Sequence, residues 1–277
     1  MAVNSNNPLQ KHFRQPAIYL RLPAGGRFWN PKSLDLPESA EIPVYPMTIK
    51  DEITIKTPDA LMNGQGVVDV IHSCCPSIKN AWDTPSTDLD AIFVSIRIAS
   101  YGPNMDIDSA CPHCGEENKH IVNLIELLDG IQSPAYDSVE LDDLVFEFKP
   151  QTFKNYNDAN LVGYEQQKLI AAITNSELPD EQKVEQFNTI FPKLTDMNIT
   201  NIVNNILSIT SNGTKVTDRN HIKEFISNCD RKTFATIKET IDQLAEAIKI
   251  KPMNSQCIAC TKEYAQELTF DQANFFV

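Results

Sequence analysis

The sequence predicts an α+β fold in which a small mixed domain is interrupted by inserted helices. Three observations lead to this prediction. Alternating strand patterns occur before Pro150, helical stripes fill the chain from there to Pro252, and a strand pattern returns afterwards. Two Cys-x-x-Cys pairs flank the helical stretch, one on each side. The expected architecture is therefore a small mixed N-terminal domain with a four-cysteine zinc ribbon that is interrupted by an inserted helical domain.

The N-terminal region divides into an arm and two short strands. Residues 1–15 are rich in Asn, Ser and Gln, a composition that predicts a flexible arm ordered only on a partner. Ile18, Leu20 and Leu22 then alternate with polar or aromatic residues, which is the pattern of a strand. A second strand is expected at 42–44, and its proline restricts it to a sheet edge.

The remainder of the first domain, 16–150, combines helices with one clear strand. One predicted helix ends before Pro76 and carries a single apolar face: Val67, Val70, Ile71 and Cys74. A second is expected from an N-cap at Thr87 to Gly102, because its length and periodicity favour a helix despite many β-branched residues. Residues 121–128 form a short amphipathic run, and residues 144–148 alternate as a strand does.

The stretch 151–249 is expected to form the inserted helical domain. One apolar stripe ends at Pro192, which is predicted to terminate its helix, and a second runs from Ile199 to Ile206. Two further helices are expected after the N-caps Thr217 and Asp230. Residues 250–277 then supply a second cysteine pair, a C-terminal strand and an apolar end.

Composition indicates a protein that binds other proteins. The net charge is −13, from 37 acidic and 24 basic residues, and the basic residues are dispersed. Phosphate attraction supplies much of the affinity for nucleic acid and anionic lipid, so neither is an expected partner. No apolar run approaches the ~18 residues that span a bilayer, and the N-terminus lacks the apolar core of a secretory signal. A cytoplasmic location is therefore expected.

The cysteines are the main candidates for chemistry. Seven cysteines in a chain without a secretory signal argue against a disulfide framework. Cys111 and Cys114 form one pair, and Cys257 and Cys260 form the other. Each Cys-x-x-Cys turn presents two thiolates, and two such turns complete a tetrahedral zinc site. The expectation is one zinc ion bound by these four residues, with no open coordination position and hence a structural role.

Two other interpretations of the cysteines stay open from sequence alone. The thiols could be unrelated residues packed in cores, or each pair could be a redox motif, although neither lies at a strand-to-helix junction. His113 lies within the first turn and is expected to face solvent. His120 is the best substitute ligand, but four cysteines need no replacement.

No pattern in the chain indicates an enzyme. Phosphate-binding, dinucleotide-binding, zinc-protease and nucleophile-elbow motifs are all missing from the sequence. Acidic pairs occur, but helix starts and turns account for them. No catalytic residue and no small-molecule substrate are therefore expected.

Several segments of the N-terminal half resemble one protein family. They are LPAGGRFW at 22–29, YPMT at 45–48, TPDAL at 57–61 and RIASYG at 97–102, followed by the first cysteine pair. Together they are similar to the baseplate proteins of T4-like contractile-tailed phages, in particular the baseplate hub and hub-assembly proteins. The resemblance covers about residues 18–125 well and the helical part weakly.

The resemblance implies a non-enzymatic role in building the central hub of a phage baseplate. The implied partners are other hub and wedge proteins, and the implied location is the host cytoplasm during assembly. Whether the chain stays in the virion tail or leaves as a chaperone is left open. The alternative function is a zinc-ribbon module that binds nucleic acid or serves transcription, which the net charge of −13 disfavours.

Overall fold

The structure is a computed structural model that describes residues 7–57, 64–176, 178–266 and 268. Three sequence expectations fall wholly or partly outside these residues. They concern the start of the arm at 1–6, most of the segment 57–61, and the apolar end of the chain at 269–277. Within the described residues the mixture of helices and strands confirms the α+β class.

Both N-terminal strands are present. Strand β1, Ile18–Arg21, pairs antiparallel with β2, Glu41–Val44, in a two-stranded sheet. Alternation places Leu20 and Ile42 in the core, where both are buried. Pro43 can occupy β2 because an edge strand leaves some N–H positions unpaired.

Three helices cover this small sheet. Helix α1, Ile49–Ile55, begins with a capping box in which Thr48 and Asp51 exchange side-chain and backbone hydrogen bonds. Helix α2, Gln65–Cys74, buries the apolar face that its sequence predicts. Helix α3, Ser86–Tyr101, packs against both strands and against α2 as part of one apolar core.

Helix α3 is a helix despite its β-branched residues, but its start differs from the prediction. The N-cap is Pro85, and Thr87 is buried inside the first turn. Proline favours this boundary because it has no N–H and its backbone is extended. The predicted end is correct: Gly102 has a φ of 89°, a conformation that glycine adopts without strain.

A hairpin and a four-stranded sheet follow. Strand β3, Asn104–Ala110, pairs with β4, Glu117–Asn123, and helix α4, Leu124–Gly130, comes next, so the amphipathic run at 121–128 is part strand and part helix. The larger sheet has the antiparallel order β5-β6-β7-β8. Its strands are β5, Val139–Leu141; β6, Leu144–Phe148; β7, Ile206–Ser211; and β8, Thr214–Val216.

Within 151–249, the described residues form four helices. They are α5, Phe153–Thr174; α6, Asp180–Asn205; α7, Arg219–Asn228; and α8, Arg231–Ile248. The prediction that Pro192 terminates a helix is wrong, since this residue lies inside α6. A proline removes one hydrogen bond, and the long contact between α5 and α6 offsets that loss. Ile206 is also not helical, because it begins β7.

The sheet joins parts of the chain on both sides of residue 150. Strand β6 pairs with β7, and the second apolar core contains Phe146 and Phe148 together with Ile222 and Ile237. Residues 151–249 are mainly helical, as expected, but they also contribute two strands to this shared sheet. The division of the chain at 150 and 250 stays a prediction.

The end of the N-terminal arm contacts the body of the protein. Arg14 donates from Nη2 to the carbonyl and hydroxyl oxygens of Ser73, each at 2.8 Å, and from Nη1 to the carbonyl of Pro46 at 2.5 Å. The same Nη1 lies 3.4 Å from Oδ2 of Asp51. The Arg14 side chain therefore contacts the folded chain, while the arm boundary at residue 15 stays a prediction.

The last described elements form a second short hairpin. Strand β9, Met253–Gln256, pairs antiparallel with β10, Glu263–Gln266. Within the part of the chain that the structure describes, no helix has the length and apolar character needed to cross a membrane.

Candidate metal centre

Each cysteine pair lies in the turn of a hairpin. Cys111 and Cys114 connect β3 to β4, while Cys257 and Cys260 connect β9 to β10. The second cysteine pair, after Pro252, thus lies in the same kind of hairpin turn as the first pair. The hairpins carry few apolar side chains of their own at this end, where the buried cluster consists of Cys111, Cys257 and Tyr264 with Cys260 beside it.

The two turns have the same backbone geometry. The N–H of Cys111 donates to the carbonyl of Glu116 at 2.9 Å, and that of Cys257 donates to the carbonyl of Lys262 at 3.0 Å. In each turn the fourth residue after the first cysteine donates back to that cysteine's carbonyl: Gly115 at 2.8 Å and Thr261 at 3.0 Å. The two turns are therefore matching knuckles, each aiming two sulfur atoms at one point.

A positive φ closes both knuckles. Gly115 has a φ of 78° and Thr261 a φ of 59°. Glycine adopts this conformation freely, whereas threonine is strained in it by roughly 1–3 kcal/mol. The second knuckle therefore holds a backbone conformation that its own residue does not favour, and the surrounding hydrogen bonds hold it in place.

The structure brings all four sulfur atoms together. Cys111 Sγ lies 3.7 Å from Cys260 Sγ, and Cys114 Sγ lies 3.6 Å from Cys257 Sγ. All four ligand atoms lie within 4.8 Å of one another. Sulfur atoms ~2.3 Å from a central zinc ion would form a tetrahedron with edges of about 3.8 Å. The cluster thus has the size of a tetrahedral metal site, and all seven cysteines of the chain are free thiols.

Backbone and side-chain donors surround the sulfur atoms. The N–H of His113 donates to Cys111 Sγ at 3.4 Å. Asn118, fully buried, donates from Nδ2 to Cys257 Sγ at 3.7 Å and accepts the N–H of Ile258 at 2.9 Å through Oδ1. Asn118 therefore links the first hairpin to the second knuckle and stabilises negative charge on the Cys257 sulfur.

The pKa values of the thiols shift in opposite directions. Backbone N–H donation from Cys260, assisted by that from Ala259, lowers the pKa of the Cys257 thiol to about 6. At Cys114 the N–H of Glu116 also lowers the pKa, but desolvation and the neighbouring thiols outweigh it and raise the pKa to about 12. Four adjacent thiolates repel one another, so complete ionisation of this cluster requires a cation among them.

A second contact between the hairpins lies beside the cluster. The Tyr264 hydroxyl is 2.7 Å from Ser109 Oγ and 3.0 Å from His120 Nε2. His120 is thus engaged by a tyrosine, and His113 Nε2 lies 3.3 Å from the carbonyl of Glu263. Neither histidine belongs to the group of possible ligands found among the described residues.

Sequence reasoning selected the four cysteines but missed Asn118 and Tyr264. The cysteines were recognisable because their spacing within each pair is itself a signal. Asn118 and Tyr264 act across the two hairpins: Asn118 contacts Cys257, 139 positions away, and Tyr264 contacts Ser109, 155 positions away. Nothing in the local sequence marks such partners.

The arrangement can bind a metal ion. Two hairpins with four converging thiols have the donor set of a structural site, in which protein ligands fill every tetrahedral position. A redox role for either pair is less compatible with the geometry, because each sulfur lies close to one of the other pair and each pair lies in a hairpin turn.

Comparison with known proteins gives one match. A family model described as T4 bacteriophage base plate protein matches residues 30–277. The match includes both knuckles and helices α1 to α8, whereas Leu20, Leu22 and Trp29 of the first apolar core precede it. No curated protein and no solved structure matches the chain significantly.

Proposed function

The chain belongs to the T4 bacteriophage base plate protein family, and we propose that it builds the central hub of the baseplate, as a component or an assembly factor. The observation that carries this proposal is the family match over residues 30–277. Membership in this family suggests a structural, non-enzymatic role, contacts with other phage baseplate proteins and a place in the virion tail. The hub in particular is supported by the combined resemblance of the segments at 22–29, 45–48, 57–61 and 97–102 and of the first cysteine pair.

The chain acts through protein–protein contacts rather than catalysis. Its net charge of −13 favours basic protein surfaces over nucleic acid. Among the described residues, the group of side chains suited to a metal consists of four cysteines that leave no vacant tetrahedral position for a substrate. Assembly in the host cytoplasm, followed by residence in the tail, is the proposed location.

The metal is zinc, one ion per chain, held by Cys111, Cys114, Cys257 and Cys260. Four thiolates in a tetrahedron suit zinc, and sulfur separations of 3.6 and 3.7 Å agree with its bond lengths. The ion ties a hairpin near the middle of the chain to one near its C-terminus, so its role is to hold the second hairpin against the first.

Elemental analysis tests the zinc proposal. The purified chain should contain about one zinc ion, and Cys257→Ser should lower that content because it removes one of four ligands. Cys229→Ser is the matched control, since Cys229 is half-buried, lies outside the cluster and bonds only weakly, to the carbonyl of Ile226 at 3.5 Å. Equal zinc in wild type and Cys257→Ser would contradict the site.

Cross-linking in infected cells tests the hub proposal. A tagged copy of the chain is purified from infected cells, and its cross-linked neighbours are identified by mass spectrometry. Adducts with hub proteins support the proposal. Adducts confined to wedge proteins would support a role in the baseplate but contradict a position in the hub. Salt-sensitive retention of DNA with no tail protein would favour a nucleic-acid-binding module instead.

A further inference from the structure

The four cysteines of the cluster differ in their access to solvent. Cys114 is exposed and Cys260 is half-buried, whereas Cys111 and Cys257 are buried. Each knuckle therefore carries one accessible cysteine and one that is shielded from solvent. Because oxidation of a cysteine follows its exposure and its thiolate character, an oxidant that reaches this cluster meets Cys114 and Cys260 first.

Each accessible cysteine contacts a buried cysteine of the other hairpin. Cys114 Sγ lies 3.6 Å from Cys257 Sγ, and Cys260 Sγ lies 3.7 Å from Cys111 Sγ. A disulfide has an S–S distance of ~2.05 Å, so each pair needs an approach of roughly 1.6 Å to form one. An accessible cysteine next to a second, resolving cysteine is the arrangement of a redox-responsive site.

Two contacts besides the cysteines hold the hairpins in register. Asn118 Oδ1 accepts the N–H of Ile258 at 2.9 Å, and the Tyr264 hydroxyl lies 2.7 Å from Ser109 Oγ. Neither contact involves a metal ligand atom. They keep the sulfur pairs opposite each other while a first disulfide forms, which favours a bond between the hairpins over one within a knuckle.

The proposed location takes the chain from a reducing to an oxidising environment. Thiols stay reduced in a cytoplasm, whereas disulfides persist on particles outside the cell. A protein of the virion tail leaves the cytoplasm when the particle is released. Its four-cysteine cluster then meets oxidants in a medium without the cellular systems that reduce disulfides.

We propose that peroxide converts the metal link between the two hairpins into two disulfides, Cys114–Cys257 and Cys111–Cys260, with release of the zinc ion. The hairpins are joined by the ion during assembly and by sulfur–sulfur bonds afterwards. This inference rests on the proposed zinc site and tail location, and it adds the redox chemistry of that site.

The reaction balances with hydrogen peroxide as the oxidant. In the metal-bound cluster all four sulfur atoms are thiolates. The Cys114 thiolate attacks a peroxide oxygen and breaks the O–O bond, which yields a sulfenic acid and a hydroxide ion. The Cys257 thiolate then attacks the Cys114 sulfur, forms the S–S bond and expels a second hydroxide ion.

Each disulfide consumes one peroxide, which accepts the two electrons that the sulfur pair loses. Cys260 and Cys111 repeat the sequence with a second peroxide. Once both disulfides have formed, no thiolate is left to bind the ion, so zinc leaves the site.

Disulfide mapping on the oxidised chain tests the connectivity. The full-length chain carries Cys229→Ser, which removes a thiol outside the cluster, and its zinc content is measured before treatment. Hydrogen peroxide is added, and zinc release is followed with a chromogenic chelator. The unreduced protein is then digested, and its linked peptides are sequenced by electron-transfer mass spectrometry. The expected products are Cys114–Cys257 and Cys111–Cys260, formed in step with zinc release.

Three results would overturn the proposal in a zinc-loaded chain. They are disulfides closed within a knuckle, sulfinic acids without disulfides, and thiols that remain unreacted after prolonged treatment. Each of these leaves the zinc site and the baseplate role standing. A chain that binds no zinc before treatment refutes the zinc site itself, and with it the metal link.

Amide hydrogen exchange shows whether the hairpins stay joined after oxidation. The oxidised chain is placed in chelator, and exchange in 104–123 and 253–266 is compared with that of the reduced, zinc-bound chain. Protection should agree within about 3-fold, and it should fall to that of the chelated, reduced chain when a thiol reductant is added. Protection that is already lost in the oxidised chain would show that the disulfides do not replace the metal.

Discussion

Removal of the metal should unfold the two hairpins and leave the helical region folded. The hairpins meet around a buried cluster made largely of cysteines, with Tyr264 as its aromatic member. The helical region has a separate apolar core that includes Phe146, Ile206, Ile222 and Ile237. Because the four cysteines make up most of this cluster, the hairpins should depend on the proposed metal and the second core should not.

The size of the effect follows from binding linkage. Structural zinc contributes apparent binding free energies of about 10–16 kcal/mol. The lower figure corresponds to a Kd of roughly 5 × 10⁻⁸ M. At about 10 µM free zinc, such a site stabilises the bound state by about 3 kcal/mol, which is a roughly 200-fold effect on opening.

Amide hydrogen exchange measures this effect region by region. The chain is equilibrated either with about 10 µM free zinc or with a chelator, and exchange is followed by mass spectrometry. Protection in 104–123 and 253–266 should fall roughly 200-fold on chelation. Protection in α8, Arg231–Ile248, should stay nearly constant.

Two results would refute this reasoning. Unchanged protection of both hairpins on chelation would mean that the cysteine cluster packs without a metal. Equal loss of protection in α8 and the hairpins would mean that the chain unfolds as one unit. Cys229→Ser serves as the control and should show the same zinc response as wild type, since its thiol lies outside the cluster.

Three further predictions concern the body of the chain. Arg14→Ala should lower the unfolding free energy by about 2 kcal/mol in urea titrations, because it removes charged hydrogen bonds to Ser73 and Pro46. A change of less than ~0.5 kcal/mol would mean that Arg14 does not hold the arm against the folded chain. Burial raises the pKa of Asp90 to about 6, above its unfolded value near 4, so its contribution to stability is present below pH 4 and lost as pH rises through 6. Asp90→Asn should remove that decline from the measured dependence of unfolding free energy on pH, and an identical profile in both proteins would refute the shift. Gly64→Ala should lower the unfolding free energy by about 1–3 kcal/mol, because Gly64 has a φ of 73° and an added Cβ would lie 2.6 Å from an Asn157 oxygen. A melting temperature equal to that of wild type would contradict this.

Local patterns predicted the N-terminal half well. The alternation around Leu20, the apolar face of α2 and the stop at Gly102 each depend on residues close together in the sequence. The same holds for the two knuckles, whose cysteines are three residues apart. These elements were predictable because the physical cause lies within one turn or one strand.

Contacts over long sequence distances account for the differences. Strand β7 pairs with β6 some 60 residues earlier, and this pairing makes Ile206 part of a strand although its sequence extends a helical stripe. Pro192 lies inside a helix because a neighbouring helix packs along it. Arg14 looks like part of a polar tail, yet its acceptors Pro46 and Ser73 are 32 and 59 residues away. Such partners cannot be read from a local pattern.

If the chain builds the baseplate as proposed, phage that lack it should form no tails. The most direct measurement is electron microscopy of particles from cells infected with phage in which its gene is interrupted, with and without a plasmid copy. We expect that complete baseplates and tails are missing while heads accumulate, and that the wild-type copy restores tails. Normal numbers of tailed, infectious particles without the gene would contradict it.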